Sequence, residues 1–263
     1  MFPSARSSIP SSIARDACYD SRPVLPLRDH LPTRTFPIIN YALIAANVAV
    51  FALEAQAFMN GVQPDALTIT WGLVPARLFV NPVVGAETVF TSMFMHGGLA
   101  HIAGNMLFLW IFGDNVEDAM GHFRYLLFYL LGGVGAAAAQ VLVNPMSTIP
   151  MVGASGAISA VLAAYVFLYP TSPITVLNPV FLLWLFFGLF LTFPAWLVIG
   201  LFFIANLWDA LANSSQGGVA FMAHVGGFVT GALLLAVFMA GRERKDDYAR
   251  WQRWAQRRQR GAW

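Results

Sequence analysis

The chain has 263 residues, 58% of them hydrophobic and 11% charged, with a mean hydropathy of +0.64, a balance that excludes an ordinary soluble domain. Its net charge of +2 matters less than where the charges sit. Arg6, Arg15, Arg22, Arg28 and Arg34 precede the first long apolar block, eight cations follow Gly241, and only Arg77 and Arg124 lie between. Positive flanks stay cytoplasmic, so both termini are expected inside and the number of membrane spans is expected to be even.

Residues 1–36, rich in Ser, Pro and Arg, lack the short apolar region and cleavage site of a secretory signal and read as a loosely attached cytoplasmic N-terminal tail. Cys18 lies in this tail and is the only cysteine, which excludes an intramolecular disulfide. Residues 38–58 form the first predicted span, with Glu54 and Gln56 near its far end, where headgroups and water solvate them. Residues 59–98 are too polar and too broken by Gly and Pro to cross, yet Trp71, Leu78, Phe79, Phe90 and Phe94 suit a connection lying partly in the interface.

The second span is predicted from about Leu99 to Met120 and the third from Phe123 to Val143. A short fourth starts at the Gly-Ala-Ser-Gly of residues 153–156 and ends before Pro170. Residues 174–212 are apolar almost throughout and broken by Pro179 and Pro194. An even count favours spans five and six at 195–212 and 218–240, leaving 176–191 along the cytoplasmic interface or re-entering it. Beyond Gly241, residues 242–263 form a basic cytoplasmic C-terminal tail in which Trp251 and Trp254 suit an interfacial helix on anionic lipid. No motif supports a nucleic-acid contact for this tail.

Polar side chains inside spans are costly and therefore point to function. With six spans and the N-terminus inside, His96, His101 and Asn105 lie at the start of span two, Ser155 at the start of span four and His224 near the start of span six, all in one outward layer. Close helix packing in a membrane needs small residues. Span six offers Ala223, Gly227 and Gly231 at steps of four, and span four offers Ser155, Ser159 and Ala163 at the same step. Packing those faces together brings the Ser155 hydroxyl beside the His224 ring, the minimum for nucleophilic catalysis, because a hydroxyl attacks poorly until a base takes its proton. Gly153 and Gly156 free the backbone around the serine to face a developing oxyanion, and His101 and Asn105, at i and i+4 on one face, are side-chain donors for the same charge.

These residues resemble the rhomboid family of intramembrane serine proteases. The resemblance rests on His96, His101, Asn105 and Met106 in HGGLAHIAGNM, on Gly113, Glu117 and Gly121 as GxxxExxxG, on GASG at 153–156, and on AHVGGFVTG at 223–231. It implies an all-α polytopic membrane protein, a six-transmembrane-helix rhomboid-like bundle over residues 37–241. It also implies a Ser155 and His224 dyad without a catalytic Asp, and an oxyanion site made of the Ser155 N–H, His101 and Asn105. The implied reaction is acyl-enzyme hydrolysis of single-span membrane proteins near the external end, at a small residue in a helix-destabilising segment. Two positions depart from the family pattern: Ser159 stands where an aromatic ring commonly stacks on the base, and Trp71 and Arg77 are not the adjacent Trp-Arg pair of the first loop.

His96, Gly153, Gly156, Gly227, Gly231 and Glu117 are expected to be structural residues around the site, with Glu117 an anchor towards the cytoplasmic end. Neither metal nor cofactor is expected: His101 has Gly97 and Asn105 at helical ligand spacing, there is no H-E-x-x-H, and cysteine ligands are absent from the spans. The expected partners are single-span substrates and the lipid bilayer, and the expected place is a bacterial plasma (inner) membrane. A transporter would spread polar residues through the full depth and show paired broken helices, which this sequence does not.

Overall fold

The computed structural model describes residues 26–178, 189–212 and 221–241. The readings of residues 1–25, of Cys18, of the stretch around Pro179 and of the basic tail with Trp251 and Trp254 lie outside these residues. In chain order the elements are β1 (Pro26–Asp29), α1 (Ile38–Met59), α2 (Pro64–Trp71), α3 (Arg77–Val80), α4 (Pro82–Thr91), α5 (Leu99–Met120), α6 (His122–Val143), α7 (Ser155–Leu168), β2 (Pro173–Leu177), β3 (Phe190–Pro194), α8 (Ala195–Ala212) and α9 (Phe221–Phe238). The six expected spans correspond to α1 and α5 to α9. Helices α1, α6 and α9 are long and apolar enough to cross a membrane, and α7 is a shorter apolar helix. Helix α5 is as long as α1 and α6 at 22 residues but carries Asp114, Glu117 and Asp118 in its last turns.

Close approach of small residues builds the centre of the bundle. The buried residues of α9 are Ala223, Gly227 and Gly231. A β-carbon on Gly231 would sit 2.5 Å from the Ala160 backbone, and one on Gly227 2.0 Å from the Gly156 carbonyl oxygen. Helix α6 contributes the same chemistry: Gly132 meets Ala160, and Gly135 meets Thr230 of α9. Where lipid tails are as apolar as the side chains, such backbone proximity supplies the van der Waals contact that holds helices together. Towards the other end of α7 the core is aromatic, with Phe112 edge-on to Tyr165 at 4.8 Å and Tyr125, Phe128 and Tyr129 fully buried.

Glu117 anchors the end where α5 finishes and α1 begins. Its fully buried carboxylate accepts the backbone N–H groups of Ile39 at 3.0 Å and Asn40 at 2.7 Å, and it also pairs with His122. Pro37 gives α1 no side-chain cap, so this carboxylate does the capping from another helix. One turn earlier on α5, Gly113 admits the Asn40 amide and the Tyr125 hydroxyl, which bond to each other at 2.8 Å. The chain reverses into α6 at Gly121, whose φ of +80° suits glycine.

One expectation needs correction at this same end. Residues 26–36 are not a loose tail: β1 pairs antiparallel with β2, and Asp118 accepts hydrogen bonds from the Arg34 and Thr35 backbone N–H groups. The apolar stretch around 176–191, expected along the interface or re-entering it, is entered and left by strands. β2 pairs antiparallel with β3, with Ile174 and Val176 fully buried, so the sheet order is β1-β2-β3. Three consecutive β-branched residues in Pro-Ile-Thr-Val-Leu, with burial alternating along them, explain it. The α1–α5 connection also holds three short helices, two of them opened by Pro64 and Pro82 at the first helical position.

Asp29 locks the sheet onto the bundle. It accepts from Asn115 Nδ2 at 2.6 Å and from the Tyr165 hydroxyl at 2.9 Å. Burial and the neighbouring Asp114 push its pKa up to about 8 from an ordinary 3.8, against the opposing pull of Tyr165 and Arg28. A raised carboxyl keeps in the folded chain a proton that the unfolded chain releases near pH 4. Its stabilisation is therefore complete below about pH 4 and is lost as pH rises through about 8. Thermal melts should show the advantage of Asp29→Asn over wild type growing from pH 4 to pH 8 and levelling off above.

The glycine contacts give a second test. Gly231→Ala forces its methyl into the Ala160 backbone and should cost about 1–3 kcal/mol, read as a lower melting temperature in detergent. Gly200→Ala, on α8 with nothing within 4 Å of the added carbon, should leave stability unchanged or raise it by up to about 1 kcal/mol.

Candidate active site

Helices α5, α7 and α9 all begin at one end of the bundle, so the residues in their first turns share a layer. Ser155 is the first residue of α7, and His224 lies in the first turn of α9. The Ser155 hydroxyl and His224 Nε2 are 2.7 Å apart, in hydrogen-bond contact. With the hydroxyl donating, Nε2 is the unprotonated nitrogen of a neutral imidazole, the form able to take the proton. The small-residue faces do meet, with a shift in register: the α7 residues opposite the α9 glycines are Gly156, Ser159 and Ala160. Ser155 stands at the edge of that face, which leaves its hydroxyl turned to the imidazole rather than lost in the seam.

The approach to Ser155 is held from outside α7. Leu73 and Met151 exchange backbone hydrogen bonds at 2.9 and 2.8 Å, Ala76 N–H donates to Ser147, and Gly153 N–H donates to the Ser92 carbonyl at 2.8 Å. The α1–α5 connection therefore fixes the strand of chain that delivers the serine. Gly153 has φ +125°, and a β-carbon there would lie 2.7 Å from His101 Nε2. Glycine is thus demanded twice, by backbone conformation and by an imidazole pressed against the turn.

His101 Nδ1 accepts the Gly97 N–H at 3.4 Å, which assigns the proton to Nε2, the nitrogen facing Gly153. Asn105 Nδ2 is buried, lies 3.7 Å from the same added-carbon position on Gly153, and makes no hydrogen bond among the described residues. No side chain caps α7, so the backbone N–H groups of its first turn stay open, beginning with Ser155. Two side-chain donors thus meet at Gly153, two residues before Ser155 and the positive end of α7, an arrangement suited to an oxyanion.

His96 is buried, its Nδ1–H donating to the Phe94 carbonyl at 3.2 Å and its ring edge-on to His101 with centroids 5.1 Å apart. Burial, then the nearness of His101, hold its pKa down to about 4 against the Phe94 bond, so it stays neutral at physiological pH. Ser159 turns away from the imidazole and donates to its own helix at the Ser155 carbonyl, 2.8 Å away. The ring nearest in sequence to His224 is Phe221, one turn before it, at 6.4 Å and nearly perpendicular. Glu117, twelve residues beyond Asn105 on α5, is about 18 Å away along the helix and belongs to the α1 anchor rather than to the surroundings of the dyad. Two features escaped the sequence reading: Phe221, and the bond from His96 N–H to Glu54 of α1 at 3.3 Å. The His96–Glu54 bond joins elements far apart in the chain and leaves no local periodicity to find, whereas Phe221, three residues before His224 on the same helix, was legible from helical spacing.

A bundle of apolar helices with a paired hydroxyl and imidazole at one end is that of a polytopic membrane protein. Residues 85–241, more than half of the chain, match the Rhomboid domain, and the chain belongs to the rhomboid family of multi-pass membrane proteins. It is 25% identical over 220 residues to Rhomboid protein 1, mitochondrial, of Saccharomyces cerevisiae, covering 79% of this chain and 56% of that one. It is 39% identical over 134 residues to Rhomboid protease GluP of Bacillus subtilis, covering 50% and 24%. With Rhomboid protease AarA of Providencia stuartii the figures are 30% over 165 residues, 56% and 54%. The matched regions thus take up about half or less of these curated relatives.

Gly153→Ala tests the turn. Displacement of His101 by the new methyl should slow labelling of the protein by a fluorophosphonate probe by about 10- to 100-fold, while detergent-solubilised protein still elutes as wild type on size exclusion.

Proposed function

We propose that this chain is an intramembrane serine endopeptidase that cleaves single-span membrane proteins. The observation that carries the reading is the 2.7 Å contact between the Ser155 hydroxyl and His224 Nε2 beside unspent donors at the start of α7. Ser155 Oγ attacks the scissile carbonyl while His224 removes its proton. The Ser155 N–H, His101 Nε2–H and Asn105 Nδ2–H receive the oxygen that gains charge. His224 then returns the proton to the leaving amine, and water, deprotonated by the same imidazole, releases the acyl group.

His96, Gly153, Gly156, Gly227 and Gly231 hold this geometry without touching the reacting atoms. The membrane-spanning core covers residues 37–241 with β1 docked on it, the regions 1–36 and 242–263 lie on the cytoplasmic side, and the site opens towards the opposite face of a bacterial plasma membrane. Substrates enter as transmembrane segments whose helix is easily unwound, because a protease needs an extended peptide and a helix in lipid satisfies its own backbone. A small residue at the cleavage point fits the crowded turn at Gly153.

Purified protein offered a generic single-span substrate in detergent tests this directly. Ser155→Ala and His224→Ala should each lower cleavage by at least about 1,000-fold. Equal cleavage by wild type and both variants would overturn the assignment.

A further inference from the structure

Glu54 sits four turns into α1, the first of the long helices, and its carboxylate reaches the turn that precedes α5. Oε2 accepts the His96 backbone N–H at 3.3 Å. The two residues of that turn then act on His101 from two directions. The His96 imidazole, fixed through Nδ1–H to the Phe94 carbonyl, stands edge-on to the His101 ring at 68°. The next backbone group, Gly97 N–H, donates to His101 Nδ1. One contact sets the plane of the His101 ring and the other sets which nitrogen carries its proton, and the protonated nitrogen faces Gly153.

We infer that Glu54 is a positioning residue: by holding His96 N–H it fixes the His96–Gly97 turn that orients His101 and keeps its proton on Nε2. The inference rests on the proposed use of His101 as an oxyanion donor. Among the described residues the Glu54 carboxylate bonds to the His96 N–H and to neither member of the dyad, so its influence passes through the turn. A half-buried carboxylate on an apolar helix, with a backbone donor in reach, has this as a physical reason to be there.

Loss of the acceptor leaves His96 N–H without its bond and lets the turn relax. Glu54→Ala should therefore lower kcat about 10-fold with KM within 2-fold of wild type, because an oxyanion donor acts in the transition state. Glu54→Gln keeps an oxygen at the same reach and should restore kcat to within about 3-fold. In a His101→Ala background, Glu54→Ala should cost less than a further 2-fold, since the group it positions is already gone.

A second measurement is independent of proteolysis. The imidazole 15N shifts of His101, assigned by comparison with His101→Ala, should report an Nε2-protonated ring in the wild type and a mixture of tautomers in Glu54→Ala. Equal loss from Glu54→Ala with and without His101, or His101 shifts that do not move, overturns the positioning role. An inactive wild type whose His101 shifts still respond to Glu54 would leave that role standing and remove the protease reading instead.

Discussion

Everything at the proposed catalytic end depends on how closely α7 and α9 approach. At Gly227 and Gly231 there is no room for even one additional carbon, because the backbone of Gly156 and Ala160 already occupies it. That distance has a chemical consequence. The same approach carries the Ser155 hydroxyl on α7 to within 2.7 Å of the imidazole on α9. Membrane helices gain little from moving apolar side chains away from lipid, so the van der Waals fit of glycine against backbone both holds the pair together and sets the chemistry.

The opposite end of the bundle uses a different principle. There aromatic rings fill the core, and polar groups carry the connections. Glu117 caps a helix to which it is not covalently adjacent, Asn40 and Tyr125 fill the space left by Gly113, and Asp29 ties a short sheet to α5 and α7. These groups are satisfied almost entirely by one another, as buried polar groups must be. Near Gly153 the contrast is plain: Asn105 Nδ2 keeps its hydrogens unused among the described residues, and the first N–H groups of α7 are uncapped. The Ser155–His224 pair beside these open donors sets this end apart from the Glu117 end.

Between the two ends, α5 acts as a rigid ruler. Its first turns present His101 and Asn105 and its last turns present Glu117, so one helix fixes the spacing between the α1 anchor and the turn at Gly153. The α1–α5 connection closes the circuit, with Leu73, Ala76 and Ser92 holding the chain that leads into Ser155 and Glu54 reaching back to His96.

Much of this is written in the sequence. The six helices follow from apolar blocks of spanning length, their ends from Pro, Gly and polar breaks, and the shared layer of Ser155, His224, His101 and Asn105 from counting spans. Helix periodicity and the steps of four in α9 are local properties, which is why they can be read from a string of residues. Only the tertiary structure decided that α7 meets α9 through Gly156 and Ala160 rather than through Ala163, and that Ser159 bonds its own helix. It alone decided that residues 26–29 join a sheet with 173–177, that Glu117 serves α1, and that Glu54 reaches His96. Each of these joins residues distant in sequence by a hydrogen bond or a backbone contact. Such contacts depend on rotation and register between elements, and neither leaves a trace in the order of residues along one chain.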